Sequence, residues 1–151
     1  MPGLPLFAYG TLQDVDILGA ALGRPVITHT LIAAKAPGYA TVYYPGRHYP
    51  ALVARPGASA TGMLIAHLDP LDLAVLDAFE GGEYRRQNIS IRANDQSITT
   101  QTYLPTTVIP RDVQDWTLAM WIRDHKPAVL ATEAGLASQL RTQITAELKT
   151  D

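Results

Sequence analysis

A chain of 151 residues, 47% hydrophobic and 17% charged, has the size and composition of one ordinary globular domain, here residues 1–151. Twelve basic against fourteen acidic side chains give a net charge of −2, and there is no basic run, so the charge gives no footing for nucleic acid. The absence of cysteine removes disulfides, thiolate catalysis and Cys-based zinc sites, and no stretch approaches the roughly 20 apolar residues of a membrane span.

The first expected element is a short strand at "PLFAY". A helix follows over "DVDILGAALG", with Val15, Leu18 and Leu22 on its apolar face and Gly23 as its stop. "VITHTLIAA" is rich in β-branched residues and reads as a strand. "PGYATVYYPGRHYPALVAR" reads as a strand, a Pro-Gly turn, and a second strand at Ala51 to Ala54. "TGMLIAHL" is a further, mostly apolar strand, expected at the centre of its sheet.

The strongest helix signal comes next, in "LDPLDLAVLDAFEGGEY". Asp69 can cap it, Pro70 suits its first position, and Asp72 places a charge in its first turn. Leu71, Ala74, Val75 and Ala78 form its stripe, and Gly81-Gly82 ends it. Strands follow around "YRRQNISIRA" and "SITTQTYLP", joined by a turn at Asn94-Asp95. Two helices close the chain. One runs roughly from Asp112 to His125, with Val113, Trp116 and Met120 aligned; the other starts near Glu133, with Leu136, Leu140, Ile144 and Leu148 every fourth residue. Strands gathered before terminal helices predict an α+β domain or a small mixed barrel, not a doubly wound parallel sheet.

Glu80 stands out because it breaks a local rule. A helix C-terminus carries partial negative charge, so a carboxylate there costs about 0.3–1 kcal/mol when ionised. Apolar Phe79 and Leu76 lie beside it, and burial would act in the same direction, raising its pKa. A carboxylate so placed is a candidate general base. The alternative is a solvated terminal acid paired with Arg85 or Arg86. Asp77 with Glu80 also suggests a glycosidase pair, but two acids on one helical turn reach from the same side of a scissile bond, where those enzymes need opposite sides. The four histidines have no metal-ligand spacing. Tyr43, Tyr44 and Tyr49 either line a pocket mouth or pack structurally, and Trp116 and Trp121 are expected to anchor the late helix.

"FAYGTL" and "LDAFEGGEYRR", with "PGYATVYYPGRHYPALVARPG" and "TGMLI" between them, resemble the ordered signatures of the gamma-glutamylcyclotransferase-like family, over roughly residues 4 to 104. The resemblance implies a small mixed β-barrel with peripheral short helices and one pocket at its mouth. It implies that Tyr9, Gly10, Thr11 and Leu12 hold a γ-glutamyl group, that Glu80 is the catalytic acid/base, and that Tyr84 belongs to the pocket. "YGTL" is more similar to the gamma-glutamylamine cyclotransferase branch than to the glutathione-acting one. The implied reaction is intramolecular aminolysis giving 5-oxoproline and a free amine, with no cofactor or metal and a small-molecule substrate. Gly10 would let backbone amides approach an α-carboxylate or a developing oxyanion. The rival function is a non-catalytic module binding a small metabolite or a partner on the same fold. No secretory signal pattern is visible, so a cytoplasmic location is the expectation; leaving group and oligomeric state are left open.

Overall fold

The computed structural model describes residues 5–23, 31–128 and 144. Its elements in order are β1 (Leu6–Ala8), α1 (Val15–Leu22), β2 (Leu31–Tyr43), β3 (Pro50–Ile65), α2 (Pro70–Glu80), β4 (Tyr84–Ala93), β5 (Gln96–Pro105) and α3 (Leu118–Asp124). Short 3-10 turns at Thr11–Gln13 and Gly81–Glu83 precede α1 and follow α2. The strands close into a barrel in the order β1-β3-β2-β4-β5, so the fold is α+β, as expected.

The longest ladder is β2 with β3, antiparallel from Leu31↔Ile65 to Tyr43↔Pro50. Four strands are expected here, with Pro37-Gly38 and Pro56-Gly57 falling between them. The chain instead runs as two long strands through them. The register slips between Pro37 and Tyr39, with Gly38 and Gly57 both at positive φ, so the breakers make a bend in continuous strands. The strand expected at "VITHTLIAA" is present as the start of β2 from Leu31; residues 26–30 lie outside the described residues. β3 lies between β1 and β2, as the apolar "TGMLI" run suggests. Asn94 and Asp95 both take positive φ between β4 and β5, which is hairpin-turn geometry and matches expectation.

β5 returns to β1 in parallel, at the single ladder pair Leu6↔Gln101. Side chains reinforce that seam. Gln101 N donates to Pro5 O (2.9 Å), Thr100 Oγ1 donates to the same carbonyl, and Thr102 Oγ1 donates to Phe7 O (2.8 Å). Both threonines are fully buried, so their hydroxyls need these acceptors.

Two apolar clusters share β1. Phe7 and Tyr9 join Ala36, Leu52, Leu64, Ile89 and Ile91 in one, while Leu6 and Ala8 join Ile17, Leu18, Leu22, Leu76 and Trp121 in the other. Alternate residues therefore serve the strand cluster and the helices, which is why "LFA" is apolar on both faces.

Asp14 caps α1, accepting from Asp16 N and Ile17 N, and Gly23 ends it in the left-handed region. Its buried face is Ile17, Leu18, Ala21 and Leu22; Val15, expected on that face, is 39% exposed. Helix α2 has a full capping box between Asp69 and Asp72, with Pro70 in its first turn. Its buried residues are Asp72, Val75 and Leu76, and Ala78, expected in the stripe, is exposed.

The late helix is shorter than its periodicity suggests. Helix α3 starts at Leu118 behind the cap Thr117. Residues ahead of it pair with the edge of β2 instead: Tyr43 N donates to Gln114 O, Trp116 N donates to Thr41 O, and Val42 bridges Asp115. Backbone groups left open at the end of β2 compete successfully for that segment. Trp116 and Trp121 are both buried in the cluster with α1, as expected for anchors. The expected final helix from Glu133 lies outside the described residues except for Ile144.

Candidate functional site

A cavity of about 530 Å³ opens between the turn after β1, the β2–β3 turn and the end of α2. That volume suits a small molecule. Its walls include Tyr9, Gly10, Thr11, Leu12, Glu80 and Tyr84. All six residues singled out in the sequence therefore meet at one place.

After β1 the chain leaves the barrel at Gly10, whose φ of −117° and ψ of −138° start the 3-10 turn. Glycine is needed there for space, since a Cβ would sit 2.7 Å from Pro50 Cγ. Gln13 fixes the turn by donating its Nε2 to Tyr9 O (2.8 Å) and Gly10 O (3.2 Å). The first amides of a 3-10 turn have no acceptor within it, which is the position of the Thr11 and Leu12 N–H groups, and both residues line the cavity. Leu12's side chain is buried with α1, so its backbone is its contribution. Tyr9 is buried too, and its hydroxyl donates to Tyr103 O at 2.5 Å. The sequence signal for Gln13 is a side-chain amide three residues after a turn glycine.

Glu80 is the last residue of α2, and Gly81 (φ 66°) turns the chain away. Glu80 is half-buried as a residue and lines the cavity, while its carboxyl group is withdrawn from water. Burial pushes its pKa up to about 8 from an ordinary 4.5, with the charges of Asp77 and Glu83 acting in the same direction. The surface-pair alternative fails on geometry, because Arg86 goes elsewhere. Its Nε and Nη2 donate to Asp77 Oδ1 and Oδ2 (3.0 and 3.1 Å), and Arg85 is exposed.

Tyr84 is hydrogen-bonded, packed and on the cavity wall at once. Its hydroxyl donates to Pro50 O (2.5 Å), its ring meets Tyr44 edge-on at 5.5 Å, and the same residue lines the cavity. Burial drives its phenol, and those of Tyr9 and Tyr103, upward, so all three stay neutral over the ordinary pH range.

The cavity rim holds residues that sequence spacing could not assemble. Glu83 Oε1 accepts from Arg47 Nε (3.2 Å), and its Oε2 accepts from Tyr49 OH. Tyr44 OH donates to Glu83 O (3.2 Å), while Tyr43 packs against the cluster with α1. Of the three tyrosines weighed for the mouth, Tyr49 is the one in the lining. His48 stacks on His125 with ring centroids 4.0 Å apart. Among the described residues, no three His, Cys, Asp or Glu side chains converge to hold a metal ion. None of the described helices is long and apolar enough to cross a membrane.

The sequence profile of the family described as gamma-glutamyl cyclotransferase, AIG2-like, matches residues 6–123. AIG2-like protein A of Arabidopsis thaliana is 30% identical over 130 residues, which is 84% of this chain and 77% of that protein. A solution structure of an Arabidopsis thaliana protein superposes with a TM-score of 0.64 at 28% identity, covering 85% of this chain and 87% of the other. The structure of a gamma-glutamyl cyclotransferase superposes with a TM-score of 0.57 at 17% identity, covering 69% and 67%, a likeness of fold alone.

Proposed function

The chain belongs to the gamma-glutamyl cyclotransferase, AIG2-like family, and from that premise we propose that it converts a γ-glutamyl amine or amino acid to 5-oxoproline, with Glu80 as proton carrier. The observation that carries this reading is Glu80 itself: a carboxyl on the wall of the cavity that the Tyr9–Leu12 turn also lines, where burial raises its pKa.

The reaction needs a folded substrate and a movable proton. The substrate's α-nitrogen attacks its own γ-carbonyl carbon. That C–N bond closes the five-membered ring, and the C–N bond to the leaving nitrogen breaks. Two protons pass from the α-ammonium to the departing amine, so charge and atoms balance. Ionised Glu80 takes the first proton, which frees the attacking lone pair, and returns it to the leaving nitrogen. The second follows the same route as the tetrahedral centre collapses. At pH 7 about a tenth of a carboxyl with a pKa near 8 is ionised, and an arriving ammonium favours that form.

The turn amides supply the other half. Thr11 and Leu12 N–H groups suit the α-carboxylate or the oxyanion that develops on the γ-carbonyl. Gly10 keeps a side chain out of their way. Tyr84, tied to Pro50 O, holds the wall beside Glu80. The "YGTL" turn favours γ-glutamylamines as the first substrates to try.

The test is 5-oxoproline release, followed by mass spectrometry, from a panel of γ-glutamyl amines and γ-glutamyl amino acids. Wild type should release it, and Glu80→Gln should not. Tight binding without release would point to the non-catalytic module instead.

A further inference from the structure

Asp77 lies one helical turn before Glu80, and both of its carboxylate oxygens are occupied. Oδ1 accepts from Arg86 Nε (3.0 Å) and from Tyr103 OH (2.6 Å), and Oδ2 accepts from Arg86 Nη2 (3.1 Å). Arg86 passes the connection on, donating Nη1 to Gln101 Oε1 (2.7 Å). One carboxylate on the last turn of α2 is thus bound to β4 through Arg86 and to β5 through Tyr103. The pair lines a second, polar cavity of about 360 Å³, which shares Gly81, Tyr84 and Tyr103 with the first.

We propose that the Asp77–Arg86 pair is a positioning device for Glu80: it seats the last turn of α2 on the barrel, and its anion and counter-cation set the charge against which Glu80 exchanges its proton. The proposal rests on the reading of Glu80 as proton carrier, although its test does not require turnover.

The charged and titratable groups around Glu80 can be named from each packed element. Asp77 faces it from α2 and Glu83 from the following turn. Tyr9, Tyr103 and Tyr84 approach from the β1 end, β5 and β4, and all are neutral. Glu83 carries its own counter-ion, Arg47. Asp77 carries Arg86 in the same way, so each anion beside Glu80 is matched by one cation. Removing one partner of the Asp77 pair must therefore shift Glu80 in a direction set by the sign of the charge removed.

The experiment is a carbon-13 NMR titration of the Glu80 carboxyl in the full chain, with the resonance identified by its loss in Glu80→Gln. Asp77→Asn keeps the shape but removes a like charge, and should lower the midpoint by about half to one pH unit, the size expected for a charge about 6 Å away in partly hydrated surroundings. Arg86→Gln leaves Asp77 uncompensated and should raise the midpoint by a similar amount. Arg86→Lys keeps the cation and should titrate like wild type.

Opposite shifts for the first two variants support the proposal. A purely structural brace would loosen the seat, hydrate Glu80 and move both variants downward. Shifts of the same sign, no shift, or an Arg86→Lys that behaves like Arg86→Gln would overturn it. Release of 5-oxoproline by the same samples decides the catalytic reading separately: a chain that titrates as expected without product keeps the pair and loses the reaction.

Discussion

Tyr9 and Tyr103 are joined across 94 residues by one hydrogen bond, the Tyr9 hydroxyl donating to the Tyr103 carbonyl at 2.5 Å. It ties the end of β1, where the cavity-lining turn begins, to the strand that closes the barrel. Tyr103's own hydroxyl meanwhile reaches Asp77 on α2. Two tyrosines therefore connect the turn, the barrel seam and the helix that carries Glu80.

Tyr9→Phe tests that connection with one oxygen removed. A buried carbonyl losing its partner should cost about 1–2 kcal/mol. In a chain of this size that lowers Tm by roughly 2–4 °C for each kcal/mol. Calorimetry at fixed pH measures it; an unchanged Tm would show that the bond contributes nothing net.

Glu80 also predicts a pH dependence of stability. Its folded pKa, near 8, lies above its ordinary 4.5, so the folded chain holds a proton that the unfolded chain has released. This contribution is complete below about pH 4.5, is lost as pH rises, and is gone above about 8. Against Glu80→Gln, wild type should lose up to roughly 1.4 kcal/mol per pH unit across that window. Denaturant titrations at pH 5, 6.5 and 8 give the slope, and parallel curves for the two proteins would place Glu80 in water.

Catalysis should follow the same group with the opposite sign. A general base must be ionised, so kcat/KM should climb about tenfold per pH unit up to an acid limb near pH 8. Glu80→Gln should lose at least about a hundredfold. A wild-type profile flat from pH 6 to 8 would remove Glu80 as the base.

Gly10→Ala probes the turn. The new Cβ would meet Pro50 Cγ at 2.7 Å and Cδ at 3.2 Å, so the turn or the proline must move. Overpacking of this kind costs about 1–3 kcal/mol. Displaced amides should raise KM more than they lower kcat; wild-type kinetics in the variant would separate this turn from substrate binding.

Legibility in the sequence followed the range of the interactions. Helix α2 was readable because Asp69, Pro70, Asp72 and Gly81 act within one helix, and the β4–β5 hairpin because Asn94-Asp95 decides its own turn. Glu80 stands out in the sequence because it violates a local rule. The long strands β2 and β3 read as shorter pieces because glycine and proline signal a break locally, while the pairing that keeps each strand continuous depends on the other strand. Residues 112–117 carry helical spacing, but the open edge of β2 claims them. The Arg47–Glu83 and Asp77–Tyr103 bonds join residues 36 and 26 apart, and no local pattern announces such partners.

The seam at Leu6↔Gln101 bears on how the chain assembles. The β2–β3 and β4–β5 hairpins each join neighbours in sequence, whereas the threonine bonds to β1 join residues 95 apart. The entropy of closing so long a loop falls on three residues of strand, helped by two hydroxyls. The Tyr9–Leu12 turn hangs directly from that strand. A chain with both hairpins formed and β1 undocked would be mostly folded yet lack one wall of the cavity, so the contact that completes the barrel also completes the pocket.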